Sequence, residues 1–174
     1  MESALRLYAW NLLYAQALVE DLSDSQCTES CGPGLENHPA WTIGHLVSGS
    51  DLLAQDLGLE RNLPEGWCEL FERRGPGDPR LPDSNLDIYP PMKELLAELE
   101  GQHRRVDRAW REKLVDGGQS GEGLAAPMEW RFCDTLPTLA DATLFLAVSH
   151  EAMHLGQLAA WRRAKGLPSA LNSL

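Results

Sequence analysis

Between Ser3 and Leu22 the apolar positions Leu5, Tyr8, Leu12, Ala15, Val19 and Leu22 recur at three- and four-residue steps, the spacing of one helix face. A second window opens at Pro39, with Asn37 and His38 as candidate caps, and runs to about Gly58 with Trp41, His45, Leu46, Leu52 and Leu53 inside it. A third begins at Pro90 and Pro91, sets Met92, Leu95, Leu96, Leu99, Val106 and Trp110 on one face, and ends near Leu114. The fourth has the fullest boundary signals. Thr138 and Asp141 form a capping-box pair after Pro137, and the pattern continues to Ala164. Arg162, Arg163 and Lys165 complement the negative end of the helix dipole, and Gly166 followed by Pro168 stops it. At 1.5 Å per residue this helix would be about 40 Å long.

Strand patterns are sparse, and Met128 to Cys133 alone predicts a short extended piece. Four long helices without a sheet predict an all-α fold, an antiparallel-type four-helix bundle in a single domain over residues 1–174. The connections Leu59 to Tyr89 and Val115 to Leu136 are long, and such loops tend to be functional or disordered. Within the first, Pro64 to Arg74 predicts a short helix carrying Trp67, Leu70 and Phe71 and closed by Gly75.

Composition then limits the partners. A chain of 174 residues can bury a core without metal or disulfide staples, so a metal found here need not be structural. Lys and Arg number 15 against 26 Asp and Glu, and the net charge of -11 opposes a phosphate backbone. Nucleic acid and acidic membrane surfaces are therefore not expected partners. The longest stretch free of charged side chains, Asn37 to Ser50, contains Asn, His, Pro, Thr and Ser, whereas a spanning helix needs about 18 or more apolar residues. Leu7 to Val19, with Ala15-Gln16-Ala17, has some likeness to a signal peptide. Glu2 in the would-be basic region and Asn11 in the apolar one favour an amphipathic helix, and the expected location is cytoplasmic. Cys27, Cys31, Cys68 and Cys133 fit that compartment as reduced thiols; Cys27 and Cys31 have half of a zinc-site spacing, but no second Cys pair completes it.

Candidate chemistry lies with the five histidines. His150 and His154 are one turn apart in the most apolar helix, so both imidazoles share a face and can grip one ion. Burying them without partners would cost free energy, which either a metal or hydrogen bonds to backbone or water would offset. His150-Glu151-Ala152-Met153-His154 matches the H-E-x-x-H zinc-protease pattern, yet no His, Asp or Glu follows His154, so a third ligand must come from upstream. His45 is the best placed, on the core face of the second helix and preceded by Gly44, which permits close helix approach. His103, one turn after Leu99 on the third helix, is its rival. His38 lies two turns from His45, about 10 Å along the axis, and suits a helix terminus. Three neutral imidazoles on one side of an ion would leave positions for water and substrate, as catalytic metal sites require.

His38-Pro39-Ala40-Trp41-Thr42-Ile43-Gly44-His45-Leu46 is similar to the W-x-x-G-H-L signature of the DinB/YfiT-like metalloenzymes. His150 to Leu158 resembles their H-x-x-x-H-x-G-Q-L signature, about a hundred residues later and in the same order. The resemblance covers all four helices. It implies up-down-down-up topology with the long crossover between Leu59 and Tyr89, and a metal site of His45, His150 and His154. It further implies a homodimer, a divalent ion (nickel or zinc first, with iron or manganese as other choices), and a small-molecule substrate. Relatives that use low-molecular-weight thiols act as thiol S-transferases or as a mycothiol-dependent isomerase. The family name carries no implication of DNA binding.

Such an ion would lower the pKa of a bound water or thiol. Glu151 is the candidate catalytic proton acceptor, although helical geometry sets it about 100° around from His150 and a surface or supporting role competes. Gln157 is a candidate to orient a ligand imidazole or bound water, and Trp41, Met153 and Trp161 are candidate pocket walls. Asn11 is a further polar candidate. A metal-dependent hydrolase and a non-catalytic metal-binding stress-response protein are the alternatives to a thiol-dependent transferase or isomerase.

Overall fold

The computed structural model describes residues 2–73, 81–83, 85–116 and 123–174. It comprises α1 (Glu2–Val19), α2 (Asp24–Cys27), α3 (Pro39–Asp56), α4 (Trp67–Phe71), α5 (Met92–Asp116), α6 (Leu139–Leu144) and α7 (Glu151–Ala164). A π-helical turn over Phe145–His150 joins α6 to α7. Among the described residues there is no strand, only an isolated bridge between Pro127 and Thr138, so the chain is all-α as the periodicity predicts.

The predicted boundaries have visible causes. His38 caps α3, its Nδ1 accepting the Trp41 N–H at 3.2 Å, with Pro39 as the first helical residue. Thr138 and Asp141 close a reciprocal capping box at the start of α6. Ser23 and Gln26 do the same for α2, and Asp24 Oδ1 accepts the Met92 N–H at 2.8 Å, which ties α2 to the start of α5. Arg162 does more than complement a dipole. It is buried, its guanidinium forks onto Asp21 at 2.6 and 2.9 Å, and it donates to the Leu18 carbonyl, fastening α7 to the end of α1. Gly166, at φ +71°, then ends the helix in a left-handed conformation that a side chain would strain.

Three expectations are corrected. The fourth helix is continuous from Leu139 to Ala164 but not α-helical throughout, because a π turn over Phe145–His150 interrupts its α register. Met128 to Cys133 is not extended throughout: from Trp130 the chain turns, Cys133 N–H bonding the Trp130 carbonyl at 3.1 Å and Trp130 Nε1 donating to the Leu136 carbonyl at 2.6 Å, while the Trp130 and Phe132 rings pack on Phe145. The short helix of the first long loop is confined to Trp67–Phe71; Arg74 and Gly75 lie outside the described residues.

Helix α3 packs on α5 and on α7, and α1 packs on the same two. One core cluster centres on Leu18, Ile43, Leu46, Phe71, Leu95, Leu155 and Trp161, the other on Leu5, Tyr8, Leu53, Val106 and Trp110. Each such side chain contributes roughly 1.5–3 kcal/mol by leaving water. Asp51, fully buried, accepts from Asn62 N at 2.8 Å, Arg105 at 3.1 Å and Gln55 at 3.2 Å, which pins the chain leaving α3 against α5. Among the described residues no helix is long and apolar enough to cross a membrane.

Candidate functional site

Packing α3 against the junction of the π turn and α7 brings three of the five histidines together. One ring nitrogen from each of His45, His150 and His154 lies within 4.8 Å of the others, and among the described residues no other group of His, Cys, Asp or Glu converges in this way. His150 Nε2 and His154 Nε2 are 3.2 Å apart.

Each ring is oriented by a neighbour. His45 donates its Nδ1–H to the Phe71 carbonyl at 2.9 Å, which leaves Nε2 as the bare lone pair. Phe71 can come that close because Gly44 has no side chain: a Cβ there would meet the Phe71 ring at 2.2–2.4 Å. The close approach foreseen at Gly44 is thus to α4, whose carbonyl then serves the next residue. His154 donates Nδ1–H to Gln157 Oε1 at 3.2 Å, one turn along α7. His150 rests against the backbone of α3 at Gly49, where a Cβ would lie 3.4 Å from its ring. Trp41 stacks on His45, with centroids 4.8 Å apart and planes 12° from parallel, and the Arg73 guanidinium lies 4.2 Å over the indole.

The electrostatics keep these rings neutral. Burial pushes His45 below its usual value. Burial, aided by the neighbouring His45 ring, takes His150 down to about 4; burial again, then His45 and His150, takes His154 to about 3. Metal ligation needs unprotonated imidazole, so at neutral pH the three rings present lone pairs without first having to lose protons. The donor set therefore fits a divalent cation of the kind imidazole suits.

His103 is elsewhere. Its Nε2 lies 3.0 Å from Glu151 Oε1, and its ring stacks on Tyr8 with centroids 3.8 Å apart. Ser50 donates to the same Glu151 oxygen and receives from Tyr8, both at 3.4 Å. Glu151 is 3 % exposed, so it is not a surface residue. Burial raises its carboxyl above the usual range more than the hydrogen bonds of His103, Asn11 and Ser50 lower it. This cluster of Tyr8, Ser50, His103 and Glu151 escaped sequence reasoning, although a glutamate inside the buried stripe of the fourth helix was its signal.

The other candidates separate. Met153 is 53 % exposed on α7. Trp161 is a core residue whose Nε1 donates to the Glu29 carbonyl at 2.8 Å. Cys27 is buried, and neither it nor Cys31 joins a cluster of metal-ligating groups. His38 is the α3 cap, as its position suggested.

No match to the chain was found among curated proteins or among solved structures. A family model, that of the DinB superfamily, matches residues 9–158, from within α1 to the end of the second histidine motif. On that match, which spans most of the sequence, the chain belongs to the DinB superfamily.

Proposed function

We propose that this is a metal-dependent enzyme in which His45, His150 and His154 hold one divalent cation, nickel or zinc in preference to iron or manganese. The observation that carries the reading is the convergence of three neutral imidazole nitrogens within 4.8 Å, with Nδ1 of His45 and of His154 already engaged by the Phe71 carbonyl and Gln157. The scaffold we propose is a single four-helix-bundle domain of α1, α3, α5 and the α6–α7 unit, up-down-down-up, with the crossover between α3 and α5.

When bound, such an ion supplies Lewis acidity that makes a thiol or water available as a nucleophile near neutral pH. The protein's own residues set the conditions. Phe71 and Gln157 fix which nitrogen of each ring faces the site. Trp41 covers His45 on one side and excludes water there, with the Arg73 guanidinium lying over the indole. Glu151 points its carboxylate at His103 and Ser50, so its role is support of the ligand helix rather than proton transfer at the site. The reaction we propose is transfer or isomerisation dependent on a low-molecular-weight thiol, in the cytoplasm. The homodimer expected for the family would use the exposed stripe Leu7, Trp10 and Leu13 of α1, whose spacing puts them on one face.

The discriminating experiment runs a thiol-transfer assay beside a panel of hydrolase substrates, with and without added divalent metal. Metal-dependent consumption of a thiol supports the proposal. Turnover of a hydrolase substrate without thiol contradicts it, and inactivity in both with metal tightly held favours a binding protein.

A further inference from the structure

The residues Leu139, Thr143, Ala147, Glu151 and Leu155 follow one another at four-residue steps, and all are buried. An unbroken α-helix cannot keep such a series on one face. Each step of four overshoots a full turn by about 40°, so Leu155 would end about 160° from Leu139, on the opposite side. The π turn over Phe145–His150 resolves the conflict by taking one extra residue into the ladder, which removes about 100° and leaves both ends facing the core.

A wide turn displaces carbonyls from their usual amide partners, and an outside donor meets them here. Asn11, 7 % exposed on α1, donates Nδ2–H to the Ala147 carbonyl at 3.2 Å and lies 3.3 Å from that of Val148. The Glu151 N–H reaches back only to Val148, a tightened bond that marks the return to α geometry. His150 is the last residue of the turn, and its ring sits against Gly49 of α3 and beside His45.

We propose that Asn11 is a positioning residue for the histidine site: it latches the π turn, and the turn sets where His150 stands relative to His45 and His154. The inference rests on the reading of these three histidines as a metal site. Asn11 touches none of them; it acts through the backbone carbonyls of the turn and also interacts with the neighbouring Glu151 carboxyl. It answers the question left by a lone amide in an otherwise apolar helix face, and it gives the extra residue of the turn a role at the site besides its role in the fold.

The test titrates the full-length, tag-free apo chain with cobalt(II), whose affinity and ligand-field spectrum report the imidazoles, beside urea unfolding of the metal-free protein. Asn11→Leu, which keeps volume and removes the donors, should weaken cobalt(II) binding at least about tenfold, and Asn11→Gln should recover part of the loss. Deleting the exposed Ser149 lets the helix run in α register with both faces preserved. That variant should remain folded, bind cobalt(II) at least about tenfold more weakly than wild type, and lose nothing further on adding Asn11→Leu. Wild-type affinity in Asn11→Leu or in the deletion variant would overturn the proposal, as would a deletion that unfolds the chain. A wild-type chain that takes up no cobalt(II) would overturn the metal-site reading itself, and the latch with it.

Discussion

His45 donates its Nδ1–H to the carbonyl of Phe71 across 2.9 Å, and the ring of that phenylalanine occupies the space left by the missing side chain of Gly44. One short helix thereby both packs on α3 and aims the imidazole beside it.

That dependence makes Gly44→Ala a sharp probe. The new Cβ would overlap the Phe71 ring and force α4 outward, an overpacking that costs about 1–3 kcal/mol. Because the Phe71 carbonyl moves with its ring, zinc affinity should fall as well, by roughly tenfold or more. Urea unfolding and a zinc competition titration measure the two effects; lost stability with unchanged affinity would separate Phe71 from the orientation of His45.

Glu151 should matter for stability first. Glu151→Ala leaves His103 Nε2 and Ser50 Oγ buried without their shared acceptor, which costs about 2–4 kcal/mol in urea unfolding. Glu151→Gln keeps an acceptor oxygen and should cost less. A large loss of turnover in Glu151→Gln with metal content intact would instead make Glu151 a proton acceptor at the site.

The lowered pKa values fix the sign of the acid response. His150 and His154 bind protons more weakly folded, at about 4 and about 3, than the ordinary value of 6.5 that the unfolded chain restores. Between those limits the unfolded chain holds more protons, so stability falls as pH falls. The metal-free protein should keep this stability in full above about 6.5 and lose it progressively down to about 3–4. Double alanine replacement of His150 and His154 should flatten urea midpoints over that window; an unchanged slope would show that other groups carry it.

Much of this molecule is legible in its sequence, and the remainder has physical reasons. Proline, Asn/His and Thr-x-x-Asp signals locate α3, α5 and the start of α6 to within two residues or so, because caps are local chemistry. Two histidines one turn apart and a third on a neighbouring face are likewise local facts, and the fold brings them together. The π turn hides in an apolar run whose composition suits any helix, and only its insistence on four-residue steps betrays it. The orienting carbonyl of Phe71 and the His103–Glu151 bond depend on tertiary packing, to which single-helix periodicity is blind. Arg162 reads as a dipole complement until the turn after α1 supplies Asp21.

The cysteines offer an independent check on the core. Burial, with Asp24 and Asp21 nearby, pushes the Cys27 thiol up to about 12, while Cys31, Cys68 and Cys133 are half-buried thiols outside any disulfide, Cys68 donating to Glu72 Oε2 at 3.0 Å. A thiol-reactive dye on the native protein should label those three well before Cys27, since the thiolate is the reacting form. Rapid labelling of Cys27 would place α2 differently.

The central claim is that His45, His150 and His154 hold one metal ion. Elemental analysis of protein purified without a polyhistidine tag should find about one divalent metal per chain, largely lost in His45→Ala, His150→Ala and His154→Ala but kept in His103→Ala. Metal retained in His45→Ala and lost in His103→Ala, or no metal in the wild-type chain after nickel and zinc have been supplied, would contradict it.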